Sequence, residues 1–144
     1  MAKKYYNIAL IYAFAGLAFG VFYREFTKFN DFTGVTMLGS VHVHLLALGT
    51  VMFLLVGLFS RFYDLKSQKM FRNFMFIYNI GLVLTSVMMV VRGIVEVLGT
   101  ELNKMGNGMI SGIAGIGHIL VAAGIIHFIF VLKKCADSEK TAVK

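Results

Sequence analysis

Cysteine is nearly absent from this chain, proline and tryptophan are wholly absent, and acidic residues are scarce. Cys135 is the single cysteine, so no disulfide can form within the chain, which excludes a disulfide-stapled fold. Asp and Glu number 7 against 14 Lys and Arg, so charged residues make up only 15% of the 144, while 58% are hydrophobic. A soluble domain carries about 25% charged and about 45–50% apolar residues. Low charge and high apolar content also exclude a disordered chain. What is left is a chain solvated by lipid.

Long apolar runs are what the sequence has in plenty. About 20 consecutive apolar residues cross the hydrocarbon core of a bilayer. Four runs reach that scale, at roughly 6–23, 38–60, 73–95 and 109–132. The expected fold is therefore all-α, an integral membrane four-helix bundle forming one domain over residues 1–132, with 133–144 as a polar cytoplasmic tail. The start, Met1-Ala2-Lys3-Lys4 before an apolar run and Ala13-Phe14-Ala15, has the outline of a signal peptide. The apolar run continues through Phe22 without a polar break, so the first span is expected to be retained.

Basic residues orient the bundle. With the N-terminus inside, the inner segments hold Lys3, Lys4, Arg61, Lys66, Lys69, Arg72, Lys133, Lys134, Lys140 and Lys144, and the outer ones hold Arg24, Lys28, Arg92 and Lys104. Ten against four satisfies the positive-inside rule, with both termini cytoplasmic. The inner face then carries the whole net charge of +7. Attraction to anionic lipid explains that charge. Nucleic acid is not an expected partner, because long apolar runs separate the charges and no soluble basic face forms. The expected location is the plasma membrane of a bacterium, with the lipid bilayer as the first partner.

Aromatic residues near the span ends, among them Tyr5, Tyr6, Phe22, Tyr23, Phe59, Phe62, Tyr63, Phe128 and Phe130, read as an interfacial belt. Small residues four apart, as in Ala9 and Ala13, Gly16 and Gly20, and Gly108 and Gly112, read as helix-packing sites. Exposed glycine ridges on so thin a bundle also make a homodimer a natural expectation.

All four histidines fall inside the spans: His42 and His44 on the second, His118 and His127 on the fourth. Ionisable residues in lipid are costly and mark bundle interiors or functional sites. Counting from the inner anchors Arg61 and Lys133 at about 1.5 Å per residue puts His44 and His118 at roughly 25 and 22 Å, His42 at roughly 28 Å and His127 at roughly 9 Å. His44 and His118 thus share a level. His127 lies too deep to join them and reads as an interhelical hydrogen-bonding residue near Tyr78 and Asn79. Each residue advances about 100° around a helix, so His42 and His44 point about 200° apart. Depth favours His44, whereas His42 shares its face with Gly39 and Gly49; the choice stays open here. Around His118, Ser111, Gly115 and Ala122 form a strip that leaves room beside the imidazole.

On the third span Thr85, Arg92 and Glu96 share a face. Arg92 lies about 30 Å from Arg72 and near the outer boundary, and Arg24 is at a similar height. Arg92 either pairs with Glu96 four residues on or receives a ligand carboxylate, which a guanidinium grips with two parallel hydrogen bonds.

Imidazole binds zinc, copper and iron. Two facing histidines, small residues beside one of them and an arginine above suit a haem on edge, its propionates toward Arg92 or Arg24. Tetrahedral zinc fits less well, since no second cysteine or intramembrane carboxylate completes its set. Copper held by His and Met88 or Met89 is the alternative cofactor. No C-x-x-C-H motif is present, so a haem would be a non-covalent b-type group.

The run Ser40-Val41-His42-Val43-His44-Leu45-Leu46-Ala47-Leu48-Gly49, the segment from Val91-Arg92-Gly93 through Glu101-Leu102, and Ile110-Ser111-Gly112 through His118-Ile119-Leu120 resemble an uncharacterised family of small bacterial four-helix membrane proteins. That likeness covers nearly the whole chain and implies topology. The H-x-H-L-x-x-x-G stretch is also similar to a helix of the haem–copper oxidase and nitric oxide reductase large subunits, where the matching histidine, His44 here, ligates haem b. The chain lacks the further helices and histidines of that superfamily, so the likeness implies no oxygen or nitric oxide reduction.

The reading from sequence is a membrane haem protein with His44 and His118 as metal ligands, His42 as the substitute for His44, and Arg92 and Arg24 as propionate partners. Its role would be electron transfer with a redox partner, or redox or gas sensing. The alternatives are a small transporter or channel, for which Asn79, Thr85, Ser86 and His127 supply polar groups, and a cofactor-free scaffold or partner-binding subunit. Catalysis is left open.

Overall fold

The computed structural model describes residues 2–142, with side chains described as far as Ser138. Lys140 as a side chain, and Lys144 altogether, lie outside the described residues. Four long helices hold most of the described residues: α1 (Ala2–Phe29), α2 (Leu38–Phe59), α3 (Lys69–Val97) and α4 (Lys104–Ala142). At about 1.5 Å per residue, the 28, 22 and 29 residues of the first three and the 35 apolar-rich residues 104–138 of the last each exceed the roughly 30 Å of a hydrocarbon core. All four are long and apolar enough to span a membrane. Helix α4 carries on through Lys133, so the segment expected as a polar tail is helical as far as Ala142.

Each helix buries one stripe. On α1 the buried positions are Tyr5, Ala9, Tyr12 and Gly16. On α3 they run from Phe71 and Phe74 through Tyr78, Leu82, Thr85, Met89 and Gly93 to Val97. On α4 they are Gly117, Val121, Gly124, Phe128, Val131 and Cys135. Steps of three and four residues keep each set on one helical face. The other faces expose large apolar side chains such as Ile11, Phe14, Leu17, Phe76, Ile119 and Phe130, as lipid-facing helices do. Packing is densest between α3 and α4 and between α1 and α2, with α2 against α3 joining the two hairpins.

The end of the bundle that carries Lys4, Arg61, Arg72 and Lys133 is filled by aromatic rings. Phe74 stacks on Phe128 at 4.8 Å and touches Tyr78 at 5.3 Å, and Tyr5 meets Phe71 edge-on at 5.7 Å. Aromatic pairs contribute roughly 0.5–1.5 kcal/mol each beyond burial, so ring packing adds to the stability of this half. The interfacial-belt expectation therefore divides. Phe22, Phe62 and Phe130 are exposed and suit it, whereas Tyr5 and Phe128 are core residues.

The opposite end is set by contacts between α2 and α3. Helix α3 stops at Gly99, whose φ of 61° is left-handed and places the Thr100 N–H on the Val95 carbonyl. Thr36 Oγ1 donates to the Gly93 carbonyl at 3.0 Å, and a Cβ on Gly93 would fall 2.5 Å from the Leu38 nitrogen. Glu96 accepts the Met37 N–H at 2.7 Å, filling one of the donors that a helix start leaves free. The first turn of α2, four residues before the first of its histidines, is thereby fixed on α3.

Between these two ends α2 is not uniform. Residues 38–44 are α-helical, Leu45–Val51 wind as a π-helix, and Met52–Phe59 are α-helical again. A π segment is rare and tends to sit at functional positions. This one begins at the residue after His44.

Candidate functional site

His44 and His118 meet across the gap between α2 and α4. Their ring centres are 6.2 Å apart with planes at 88°. His44 Nδ1 lies 2.9 Å from the Ser40 carbonyl and His118 Nδ1 lies 2.8 Å from the Ala114 carbonyl, each one turn back on its own helix. A carbonyl can only accept, so Nδ1 carries a proton in each ring, and Nε2 is the nitrogen left over for a metal. Such a second bond fixes ring orientation in metal-ligating histidines. The two histidines that the count from the charged anchors placed at one level are thus in ring contact.

The same geometry separates the other histidines from the pair. His42 faces α1: a Cβ on Gly20 would stand 3.7 Å from the His42 ring, and His42 Nδ1 is buried without a partner. Of the two candidates on α2, His44 is the one brought to His118. His127 places Nδ1 2.8 Å from the Ala123 carbonyl of its own helix, so its hydrogen bond is intrahelical where an interhelical one was expected.

Beside His118 the helix surface is bare. Ser111, Gly115 and Ala122 are exposed, and a Cβ on Gly115 would meet nothing within 4 Å among the described residues outside its own turn of helix. The same holds for Gly108 and Gly112, which do no packing within the bundle. Close approach of α3 and α4 rests on other glycines. A Cβ on Gly81 would lie 2.7 Å from the Val121 nitrogen, and one on Gly124 would lie 2.8 Å from Tyr78 Cβ.

Arg92 caps the open strip. Its Nη1 donates to Asn107 Oδ1 at 2.7 Å and its Nη2 to Ser111 Oγ at 2.9 Å. Ser111 is seven residues before His118, about 10 Å along α4 and on the same face. Arg92 and Glu96 take different partners, since Glu96 holds the Met37 N–H, so the i, i+4 pair is not formed. Arg24 is not drawn in: its side chain is 80% exposed and lies 3.8 Å from its neighbour Glu25. Asn107 is the residue that sequence reasoning missed. Its only signal was a place in the Gly106-Asn107-Gly108 run at the start of the fourth span.

The polar groups considered for a transport path are tied up or enclosed. Asn79 accepts from Tyr12 at 2.8 Å and donates to the Met75 carbonyl at 2.6 Å, while Thr85 and Ser86 are 1% and 6% exposed between helices. Among the described residues no group of three or more His, Cys, Asp or Glu converges. A bare ion at His44 and His118 would find no third His, Cys, Asp or Glu among the described residues.

A family model described as a protein of unknown function, DUF2871, matches residues 2–135. The chain belongs to this family. The match bears out the resemblance to an uncharacterised family across nearly the whole chain, and nothing in it links the chain to the haem–copper oxidase superfamily. No curated protein and no solved structure matches the chain.

Proposed function

We propose that this protein binds one b-type haem between α2 and α4, with His44 and His118 as axial ligands, and uses it to pass electrons or sense redox state. The observation that carries this reading is the His44–His118 pair. Metal–imidazole bonds are about 2.0–2.1 Å, and an imidazole nitrogen lies about 1.2 Å from its ring centre, so two rings that hold one ion between them would have centres about 6.4–6.6 Å apart. The separation in the protein is 6.2 Å. Two histidines suffice for a porphyrin, which brings four nitrogens of its own, whereas a structural zinc would need two more His, Cys, Asp or Glu, and none converges here among the described residues.

When bound, the haem would supply a one-electron redox couple. The rest is done by the chain. The Ser40 and Ala114 carbonyls hold the two imidazoles with Nε2 free. Gly115 leaves a flat surface unobstructed beside His118. Arg92, already on Ser111 of the same face, offers its guanidinium to a carboxylate about two turns above the ligand. With both His44 and His118 given to holding the group, the chain would favour electron transfer and redox sensing over binding of a gas.

The distribution of ten basic residues against four supports cytoplasmic termini in a bacterial plasma membrane, with the haem nearer the outer leaflet. One haem at that height does not bridge the membrane, so its redox partner would meet the protein on the outer side. Visible spectra of detergent-purified protein from haem-supplied cells test the assignment. A Soret band with a six-coordinate bis-histidine signature is expected in the wild type and in His42→Ala, and its loss in His44→Ala and His118→Ala. A band untouched by His118→Ala, or no band at all, removes the proposal.

A further inference from the structure

The π segment of α2 separates two fixed regions. Above it, Met37 and Leu38 are seated on Glu96 and Gly93. Below it, Phe53 is fully buried among Tyr12, Phe74 and Tyr78. A π turn accommodates roughly one residue more than an α turn, so converting the segment to α-helix would rotate everything above it by about 100° relative to the base. His44 immediately precedes the segment. Such a rotation would turn its ring away from His118.

Tyr78 reaches into this segment from α3. It is fully buried, with no measurable exposure, and its hydroxyl donates to the Leu48 carbonyl at 2.7 Å. Leu48 lies in the middle of the π-helix. A side chain bonding into the backbone ladder is an identifiable cause of a local departure from α geometry. In lipid, moreover, a backbone carbonyl has no water to turn to. Tyr12 meets the next residue: a Cβ on Gly49 would fall 2.5 Å from Tyr12 Cγ, but the Tyr12 hydroxyl goes to Asn79 and not to α2.

We infer that Tyr78 is a positioning residue, whose hydrogen bond to the Leu48 carbonyl holds the π segment and so keeps His44 facing His118. The inference rests on the haem reading for its functional meaning, and its test has an arm that needs no haem. In a Cys135→Ser background, His44→Cys and His118→Cys place two thiols at the pair, to be joined in the haem-free protein by a short bifunctional methanethiosulfonate. Adding Tyr78→Phe, which removes only the hydroxyl, should lower the cross-link yield at least threefold, whereas adding Tyr12→Phe should leave it unchanged. In the native histidine background Tyr78→Phe should weaken haem binding about tenfold and convert part of the low-spin spectrum to high spin.

Equal yields with and without the Tyr78 hydroxyl overturn the inference, as do equal losses from Tyr78→Phe and Tyr12→Phe, because general loosening of the core would explain them. Loss of helicity in Tyr78→Phe also overturns it, since a positioning role leaves the bundle intact. A Tyr78-dependent cross-link in a protein that takes up no haem would retain the positioning role and remove the haem reading alone. Haem binding with a Tyr78-independent cross-link would do the reverse.

Discussion

Two glycines on α4, two residues apart, should respond to the same substitution in opposite directions. Gly117 faces α3: a Cβ there would press on Thr85 Oγ1 and lie 2.9 Å from the Thr85 nitrogen and 3.2 Å from the Gly81 carbonyl. Two of those three atoms are backbone, so relief requires the helices to separate. Overpacking of this kind costs about 1–3 kcal/mol. Gly115 points about 200° away, and its Cβ would meet nothing within 4 Å. Replacing glycine by alanine within a helix is worth up to about 1 kcal/mol at either position. Since that contribution is shared, the stability difference between the two variants isolates the packing effect.

Gly115→Ala should thus be neutral or stabilising by up to about 1 kcal/mol, and Gly117→Ala should be about 1–3 kcal/mol less stable than Gly115→Ala. Reversible denaturant unfolding in detergent, followed by helical circular dichroism, measures both. Stabilities equal to within about 0.5 kcal/mol would refute the assigned faces of α4, because that is the spread of substitutions that touch nothing. The same face assignment leads to haem. Gly115→Leu should fold as well as Gly115→Ala yet lose the Soret band, since the larger side chain would occupy the surface beside His118.

Arg92→Ala should weaken haem binding about tenfold in spectrophotometric titration, with Arg92→Lys recovering only part, because an ammonium cannot match a carboxylate with two parallel bonds. Arg24→Ala should leave the titration unchanged, given the 80% exposure of that side chain. Tyr12→Phe, which removes the 2.8 Å bond to Asn79 joining α1 to α3, should cost about 0.6 kcal/mol and at most about 1.7 kcal/mol in unfolding free energy, the average and the upper end for interhelical hydrogen bonds in membranes. No loss would mean that Asn79 finds another donor in the variant.

The level shared by His44 and His118 was legible because depth in a bilayer is a linear count from charged anchors, and that count survives ordinary helix irregularity. Facing was less legible. His42 and His44 point about 200° apart, and a π segment directly below them changes the register by about a residue with no plain signature in the side chains. Arg92 illustrates a second limit. Its spacing to Glu96 permits an ion pair, but the preceding loop of α2 supplies Glu96 with a backbone donor, and α4 supplies Arg92 with Asn107 and Ser111. Spacing along one helix could not reveal either partner. Glycines divided in the same way: Gly108 and Gly112 have motif spacing and no neighbour, while Gly81 and Gly117 lie where two backbones meet.

Sequence by itself determined that the chain forms four lipid-scale helices and puts two histidines at one height, because apolar length and charge position are properties of the chain taken in order. Tertiary structure decided which histidine faces which, what Arg92 holds and which glycines are bare. Those depend on rotation about helix axes and on contacts between separate helices, and rotation is set by packing at both ends of α2 and by the π-helical turns between them.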